Sequence, residues 1–273
     1  MNRTALSELN EYWIDFFKSK KNSDIINYTD EFGDIPQHIR KKFQFDFFPE
    51  PFYGYLHEDM SNDVLVPLIN PGQISVESLK PLFPTSPIES VRTLSNNRIK
   101  ERHLTWNKKD YLQGEINLLQ GNQKWRSTKF NQCKIIMGED IGFLHTIEFF
   151  PFHSARWNLS RELQEKWIYS LKPTKLAINA IEEISKERKV KHILGIGKVW
   201  ATILNWHKDK FSLEEYQELY GPKGGRSHIV YKYKPLNSPS SLPIVIYSGS
   251  SMHLPTKDEK AVNLIRRYLE ICK

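Results

Sequence analysis

Leu6, Leu9, Trp13, Phe16 and Phe17 recur three and four residues apart in ALSELNEYWIDFFK, and this period predicts an amphipathic helix over residues 5–18. An aromatic and proline-rich loop, FDFFPEPFYGYLHED, follows. VLVPLI, Val64 to Ile69, is apolar without alternation, as expected of a strand buried on both faces. Residues 74–130 read as irregular and helical, broken early by Pro81, Pro84 and Pro87. Cys133–Met137 and Gly142–Phe150 are predicted as a second strand region. HILGIG (192–197) and IVIYSGS (244–250) are predicted as the third and fourth core strands. Helices are expected at about 160–172, at 174–187 with Leu176, Ile178, Ile181 and Ile184 inward, and over KVWATILNW. YGPKGGRSHIVYKYKP reads as a hairpin around Gly224 and Gly225. Thr256 with Glu259 forms a capping-box pattern opening a last helix to about Ile271.

Strands alternating with helices predict an α/β fold, a three-layer α/β/α sandwich around a mostly parallel four-stranded sheet. The organisation expected is one domain over 1–273, with an N-terminal helical segment at 1–48 and a basic insertion at about 74–130. Ligands of such folds lie beyond the carboxyl ends of the strands. The ends here read INPGQ, IEFFPFHS, GIGK and YSGSSMH, and they are expected to converge on one cleft.

Composition narrows the setting. At 273 residues and 39% hydrophobic, the chain can bury a full core. No apolar stretch reaches the ~18 residues of a membrane span, and MNRTALSELNEYW lacks the apolar core of a signal peptide. Cys133 and Cys272 make no disulfide framework and no four-thiolate site, so a reduced, cytoplasmic protein is expected. The net charge is +7. Between Arg98 and Lys129 stand eight basic residues (98, 100, 102, 108, 109, 124, 126, 129) against three acids, with Trp106, Tyr111 and Trp125 interleaved. That pattern suits either a surface tracking phosphates and stacking bases or an ordinary solvated face.

Several chemistries are disfavoured. GPKGGRS lacks the spacing of a P-loop, GIGK is too short for a dinucleotide fingerprint, and no G-x-S-x-G elbow occurs. His145 and His153 belong to no metal-ligand pattern, so neither metal nor cofactor is expected. What stands out is Asn70-Pro71-Gly72, a rigid turn that holds one amide side chain at the end of a core strand.

These strand ends resemble the uracil-DNA glycosylase superfamily. Asn70-Pro71-Gly72 is similar to the first motif of its mismatch-specific and thymine-DNA branches, whose asparagine positions the attacking water. FLHTIEFFPF is similar to the second strand of the single-strand-selective branch, with Glu148 standing where the family reads the base with asparagine. ILGIGKVWATIL resembles the strand-then-helix segment opened by Gly-Lys, here Gly197-Lys198. YSGSSMHLP occupies the place of the minor-groove loop. The resemblance runs in order from Pro49 to Pro255. It departs at Glu148 and again at Ser248, which replaces a catalytic histidine or asparagine.

The resemblance implies a monomeric, monofunctional DNA glycosylase. Asn70 and Ser248 would be catalytic. Gly72, Gln73, Phe52, Tyr53, Glu148, Phe149 and His153 would bind the base. Lys108, Lys109, Lys124, Arg126, Lys198, Ser250, Ser251, Met252 and His253 would contact DNA, with Met252 as the wedge that holds a flipped base out. A carboxylate at 148 suits the 4-amino group of cytosine better than the carbonyl of uracil. The Asn70-Pro71-Gly72 motif lacks the tyrosine with which the classical uracil branch blocks position 5, which leaves room there. A 5-modified cytosine of phage DNA, such as glucosylated hydroxymethylcytosine, is therefore the substrate expected, with uracil or another deaminated base the alternative. A non-catalytic DNA-binding protein of the same fold, and a hydrolase of free nucleosides, are the rival classes.

Overall fold

The apolar run at 64–69 forms the buried strand its pattern predicts. In β2 (Met60–Leu68), every residue from Asp63 to Leu68 is out of solvent. The computed structural model describes residues 3–20, 39, 41–114, 120–138, 140–154, 159–220, 226–249 and 253–271. Their contacts separate two units. Unit one comprises Met1–His57, Ile69–Gln123 and Glu148–Asn179; unit two comprises Glu58–Leu68, Lys124–Ile147 and Ala180–Lys273. The fold is α/β: the described residues hold seven strands and nine α-helices.

Unit two carries six of the strands, in the order β3–β2–β4–β7–β6–β5. They are β2, β3 (Leu144–Glu148, whose last residue falls in unit one), β4 (Val190–Ile196), β5 (Phe211–Tyr220), β6 (Arg226–Pro235) and β7 (Ile244–Ser248). β2–β4 and β4–β7 pair parallel; β7–β6 and β6–β5 pair antiparallel. The sheet is thus mixed, and larger than the four-stranded, mostly parallel one expected. Two strands are missed: β1 (Phe52–Tyr53), only two residues long within the stretch read as a loop, and β5. The β5 residues from Leu213 to Gln217 are exposed on both faces, so that strand carries no buried alternation to read.

The segment Cys133–Met137 is helical, not a strand. It closes a helix spanning Gln120–Met137, in which Cys133, Ile136 and Met137 are buried while Ile135 is 54% exposed. That spacing of three and four is a helical stripe. With Val64, Val66, Leu194, Ile196, Val245 and Ile265, these three residues share the core of unit two. The last helix runs Glu259–Tyr268. Its N-cap is Asp258 rather than Thr256, the carboxylate accepting from the Ala261 N–H.

Unit one begins with the helix Ala5–Ser19, capped by Thr4. The buried Phe17 of this helix stacks on His103 at a ring separation of 4.8 Å. His103 lies in the helix Val91–Thr105, and Lys108–Gly114 follows as a shorter helix. Phe47, Ile74, Leu79 and Val91 form a small core under these elements. Where a helix was expected over 160–172, Arg161–Lys166 is α-helical, Ile168–Ser170 is a 3₁₀ turn, and a new helix runs Lys172–Lys186. No described helix is long and apolar enough to cross a membrane.

Candidate functional site

In unit one the chain leaving β2 and the chain leaving β3 are tied together by backbone bonds. Phe150 N–H donates to Ile69 O at 2.8 Å, and Ser154 N–H donates to Pro71 O at 3.3 Å. The expected neighbours INPGQ and FFPFHS are therefore brought together. GIGK and YSGS are likewise joined within unit two, where Gly197 N–H donates to Tyr247 O at 2.8 Å. Gly197 has φ of +104°, a region other residues rarely enter, and it turns the chain directly into the helix Lys198–Trp206.

Asn70 is held by its amide nitrogen. Nδ2 donates to Pro71 O at 2.7 Å and to Ser154 Oγ at 2.8 Å. A carbonyl oxygen only accepts, so the atom facing Pro71 O must be the nitrogen, and the side-chain orientation follows from chemistry alone. Both amide protons are committed. Oδ1, with no hydrogen-bond partner among the described residues, is left as an acceptor on a fixed, half-exposed group.

Gly72 does not adopt the left-handed conformation that its Pro-Gly context suggests; the described glycines with positive φ are Gly54, Gly138 and Gly197. Its missing side chain matters for another reason. A Cβ built there meets nothing within 4 Å, so the turn borders open space. Gln73 beside it is exposed. The turn is clamped from behind by Gln44. The Gln44 side chain accepts from Ile74 N–H at 3.0 Å and donates to Ile74 O at 2.7 Å, while its backbone N–H reaches His153 O at 2.8 Å.

His153 is 2% exposed and its Nδ1 lies 2.9 Å from Gly72 O. Its Nε2 stands 3.5 Å from Oε1 of Glu50. Glu50 is buried too, and its Oε2 accepts from Arg102 Nη2 at 2.6 Å. Burial alone would lower the Arg102 pKa; the charge of Glu50, helped by Tyr111 and Tyr53, outweighs it and holds the guanidinium above its ordinary value. Glu50 and Arg102 were invisible as site residues. Arg102 counts in sequence among the basic residues of a DNA-facing segment, yet it and Lys129 are 2% and 1% exposed and belong to the interior.

Glu148 is buried, with its backbone N–H on Pro51 O at 2.8 Å. Phe52, Tyr53 and Phe149 are all buried. Phe52 sets its edge on His103 at 4.8 Å and Tyr53 lies edge-on to Tyr111 at 5.2 Å, under the Arg102 guanidinium. Phe149 packs on Tyr169 at 5.2 Å. Of the basic candidates in unit one, Lys108 lies over the Tyr55 ring at 4.8 Å and Lys109 is exposed.

In unit two, Ser248 ends β7 half-buried, opposite Ile229. Its neighbour Tyr247 bonds His228 Nδ1 through the phenol at 2.7 Å, and His228 Nε2 lies 3.4 Å from Asp258 Oδ2. Burial, with the charge of Asp258, pushes the Tyr247 phenol up to about 12. Lys198 is exposed at the start of its helix, Arg126 is half-buried, and His253 is exposed with Nδ1 3.5 Å from Gln132 Nε2. Ser250, Ser251, Met252 and the side chain of Lys124 lie outside the described residues. Among the described residues no cluster of His, Cys, Asp or Glu is arranged to hold a metal.

Comparison of the chain with protein families, with curated proteins and with solved structures finds no match.

Proposed function

We propose that the chain is a monofunctional DNA glycosylase of the uracil-DNA glycosylase type, with the α/β/α architecture of that superfamily. It would hydrolyse the bond between a flipped base and deoxyribose and leave an abasic site. One observation carries the reading: Asn70 is fixed through both amide protons and keeps Oδ1 as an acceptor. Cleavage of an N-glycosidic bond builds positive charge on the sugar and negative charge on the departing base. A water hydrogen-bonded to Oδ1 is held for attack at C1′; its oxygen bonds the sugar, the glycosidic electron pair departs with the base, and the water's proton ends on that departing base. A group already fixed in place needs no reorganisation at that moment.

The substrate proposed is a 5-modified cytosine, the type exemplified by glucosylated hydroxymethylcytosine of phage DNA, which makes the biological role antiviral defence. Two features support it. Glu148 supplies a buried carboxylate, the natural acceptor for a 4-amino group. The space beside Gly72 is open, so a substituent at position 5 meets no side chain from the turn. The test is a panel of duplexes, each with one altered base, incubated with the protein and probed for alkali-labile sites. Strand breakage at glucosylated hydroxymethylcytosine, and none at unmodified cytosine, is expected. Tight DNA binding with no breakage on any member of the panel would instead indicate a non-catalytic protein.

A further inference from the structure

His153 has both ring nitrogens turned toward the protein. Gly72 O accepts and cannot donate, so the 2.9 Å contact requires the proton to sit on Nδ1. On the other side Nε2 faces Glu50 Oε1. Glu50 is itself fixed twice, by Arg102 at its carboxylate and by its backbone N–H, which donates to Pro151 O at 2.9 Å. The backbone of His153 is fixed as well, since its carbonyl accepts from Gln44, whose side chain grips Ile74 beyond the turn. The imidazole is therefore enclosed by fixed groups and delivers one directed bond, to the last residue of Asn70-Pro71-Gly72.

We propose that His153 is a positioning residue. It aims the turn that carries Asn70 through its Nδ1–H bond to Gly72 O, and the buried Glu50–Arg102 pair stands against the opposite edge of its ring. This differs from base recognition, the role its place in sequence suggests. Partners that orient a metal-bound ligand are worth about 10–100-fold, and an effect of the same order is expected here, through orientation rather than binding. The inference rests on the proposed glycosylase reading for its catalytic consequence, but the placement of the turn can be tested without activity.

The two amide replacements separate the two nitrogens. The nitrogen of His153→Asn falls near the position of Nδ1 and can still donate to Gly72 O. That of His153→Gln extends toward Glu50 and leaves Gly72 O unserved. Both variants would be assayed for single-turnover release from a duplex carrying glucosylated hydroxymethylcytosine, and for affinity for that duplex. His153→Asn is expected to stay within about threefold of wild type and His153→Gln to lose about 100-fold, with affinity within about twofold for both. Equal rates for the two, or a loss in affinity that matches the loss in rate, would overturn the proposal.

Long-range ¹H–¹⁵N spectra of the histidine-labelled wild type supply a second reading, independent of how the variants fold. A proton on Nδ1 of His153 is expected, and a bare Nδ1 overturns the inference. If the wild type releases no base from any DNA, the glycosylase reading fails alone. The amide resonances of Gly72 and Gln73 then decide: displacement in His153→Gln but not in His153→Asn upholds positioning, and unmoved resonances in both overturn it.

Discussion

The guanidinium of Arg102 meets the carboxylate of Glu50 at 2.6 Å, with the two side chains only 2% and 7% exposed. Two charges taken out of water together are a weak source of net stability, but either one left alone is costly. Arg102→Met is therefore expected to destabilise the protein by about 3–5 kcal/mol, since it strands a buried carboxylate. The double variant Arg102→Met/Glu50→Leu should recover most of that loss. Denaturant unfolding of the wild type, both single variants and the double would measure the coupling, and simple additivity would show the pair to be energetically independent.

Asn70→Ala removes the fixed acceptor together with its bonds to Pro71 O and Ser154 Oγ, and leaves the backbone bonds that join the two strand ends, Phe150 to Ile69 and Ser154 to Pro71. Base release by the proposed glycosylase should fall ~10²–10⁴-fold, with DNA affinity within a few-fold. Asn70→Asp should be as inactive for a different reason: a carboxylate oxygen facing Pro71 O is repelled where the amide donated at 2.7 Å. Single-turnover assays beside equilibrium binding would check both, and full activity in the alanine variant would exclude Asn70 from the chemistry.

The turn itself was legible because its meaning is local. An apolar run stopped by Asn-Pro-Gly names a strand end and a fixed side chain without knowledge of anything distant. The support behind it was not. Glu50 and Arg102 lie 52 positions apart and Asn70 and Ser154 lie 84 apart, and nothing at either position announces the other. Arg102 misleads in particular, because a basic residue within a basic stretch reads as a surface charge. CKIIM misleads similarly: five residues are too few to separate a strand from a helix, although Cys133, Ile136 and Met137 are buried on one helical stripe. β5 escaped because a strand exposed on both faces leaves no hydrophobic period.

Gly249 follows Ser248 at the end of β7, and a Cβ built on it would lie 2.5 Å from the Tyr247 hydroxyl and 2.9 Å from the ring carbon bearing it. The phenol is held by His228, so it cannot yield freely. Gly249→Ala should cost about 1–3 kcal/mol, as overpacking typically does. Adding Tyr247→Phe removes the closest atom and should return part of the loss. Thermal melts of Gly249→Ala, Tyr247→Phe and the double variant would test this; an unchanged melting temperature for Gly249→Ala would mean the segment moves aside without cost.

Glu270 receives Lys232 and Lys234, each at 3.0 Å. Partial burial acts to raise its pKa, but the hydrogen bonds and charges of the two lysines outweigh that and hold the carboxyl below its ordinary value. A depressed carboxyl binds its proton less readily folded than unfolded, so its contribution is present above the ordinary carboxylate range and vanishes as pH falls through the folded value. Glu270→Gln should therefore lower the melting temperature most at neutral pH, and the difference from wild type should shrink on acidification. The effect should also weaken with salt, because the group is 43% exposed. A constant difference across pH 3–7 would assign the loss to packing rather than charge.

Gly72 and Glu148 together should set what the proposed pocket accepts. A Cβ at Gly72 meets nothing within 4 Å and no positive φ is required there, so Gly72→Tyr is expected to fold, which a thermal melt would check. The ring would occupy the space in which a substituent at position 5 is proposed to lie, so release of glucosylated hydroxymethylcytosine should be lost. Glu148→Asn acts on the other edge. A carboxylate faces the carbonyl at position 4 of uracil with lone pairs against lone pairs, whereas an amide can donate to it. Sites built around a buried hydrogen bond reject the analogue that cannot make it by about 10⁴–10⁵-fold. The wild type should thus act on the modified cytosine and leave uracil, Gly72→Tyr should act on neither, and Gly72→Tyr/Glu148→Asn should begin to release uracil. Efficient uracil release by the wild type, with the modified cytosine untouched, would remove both residues from specificity and leave Glu148 a buried structural acid.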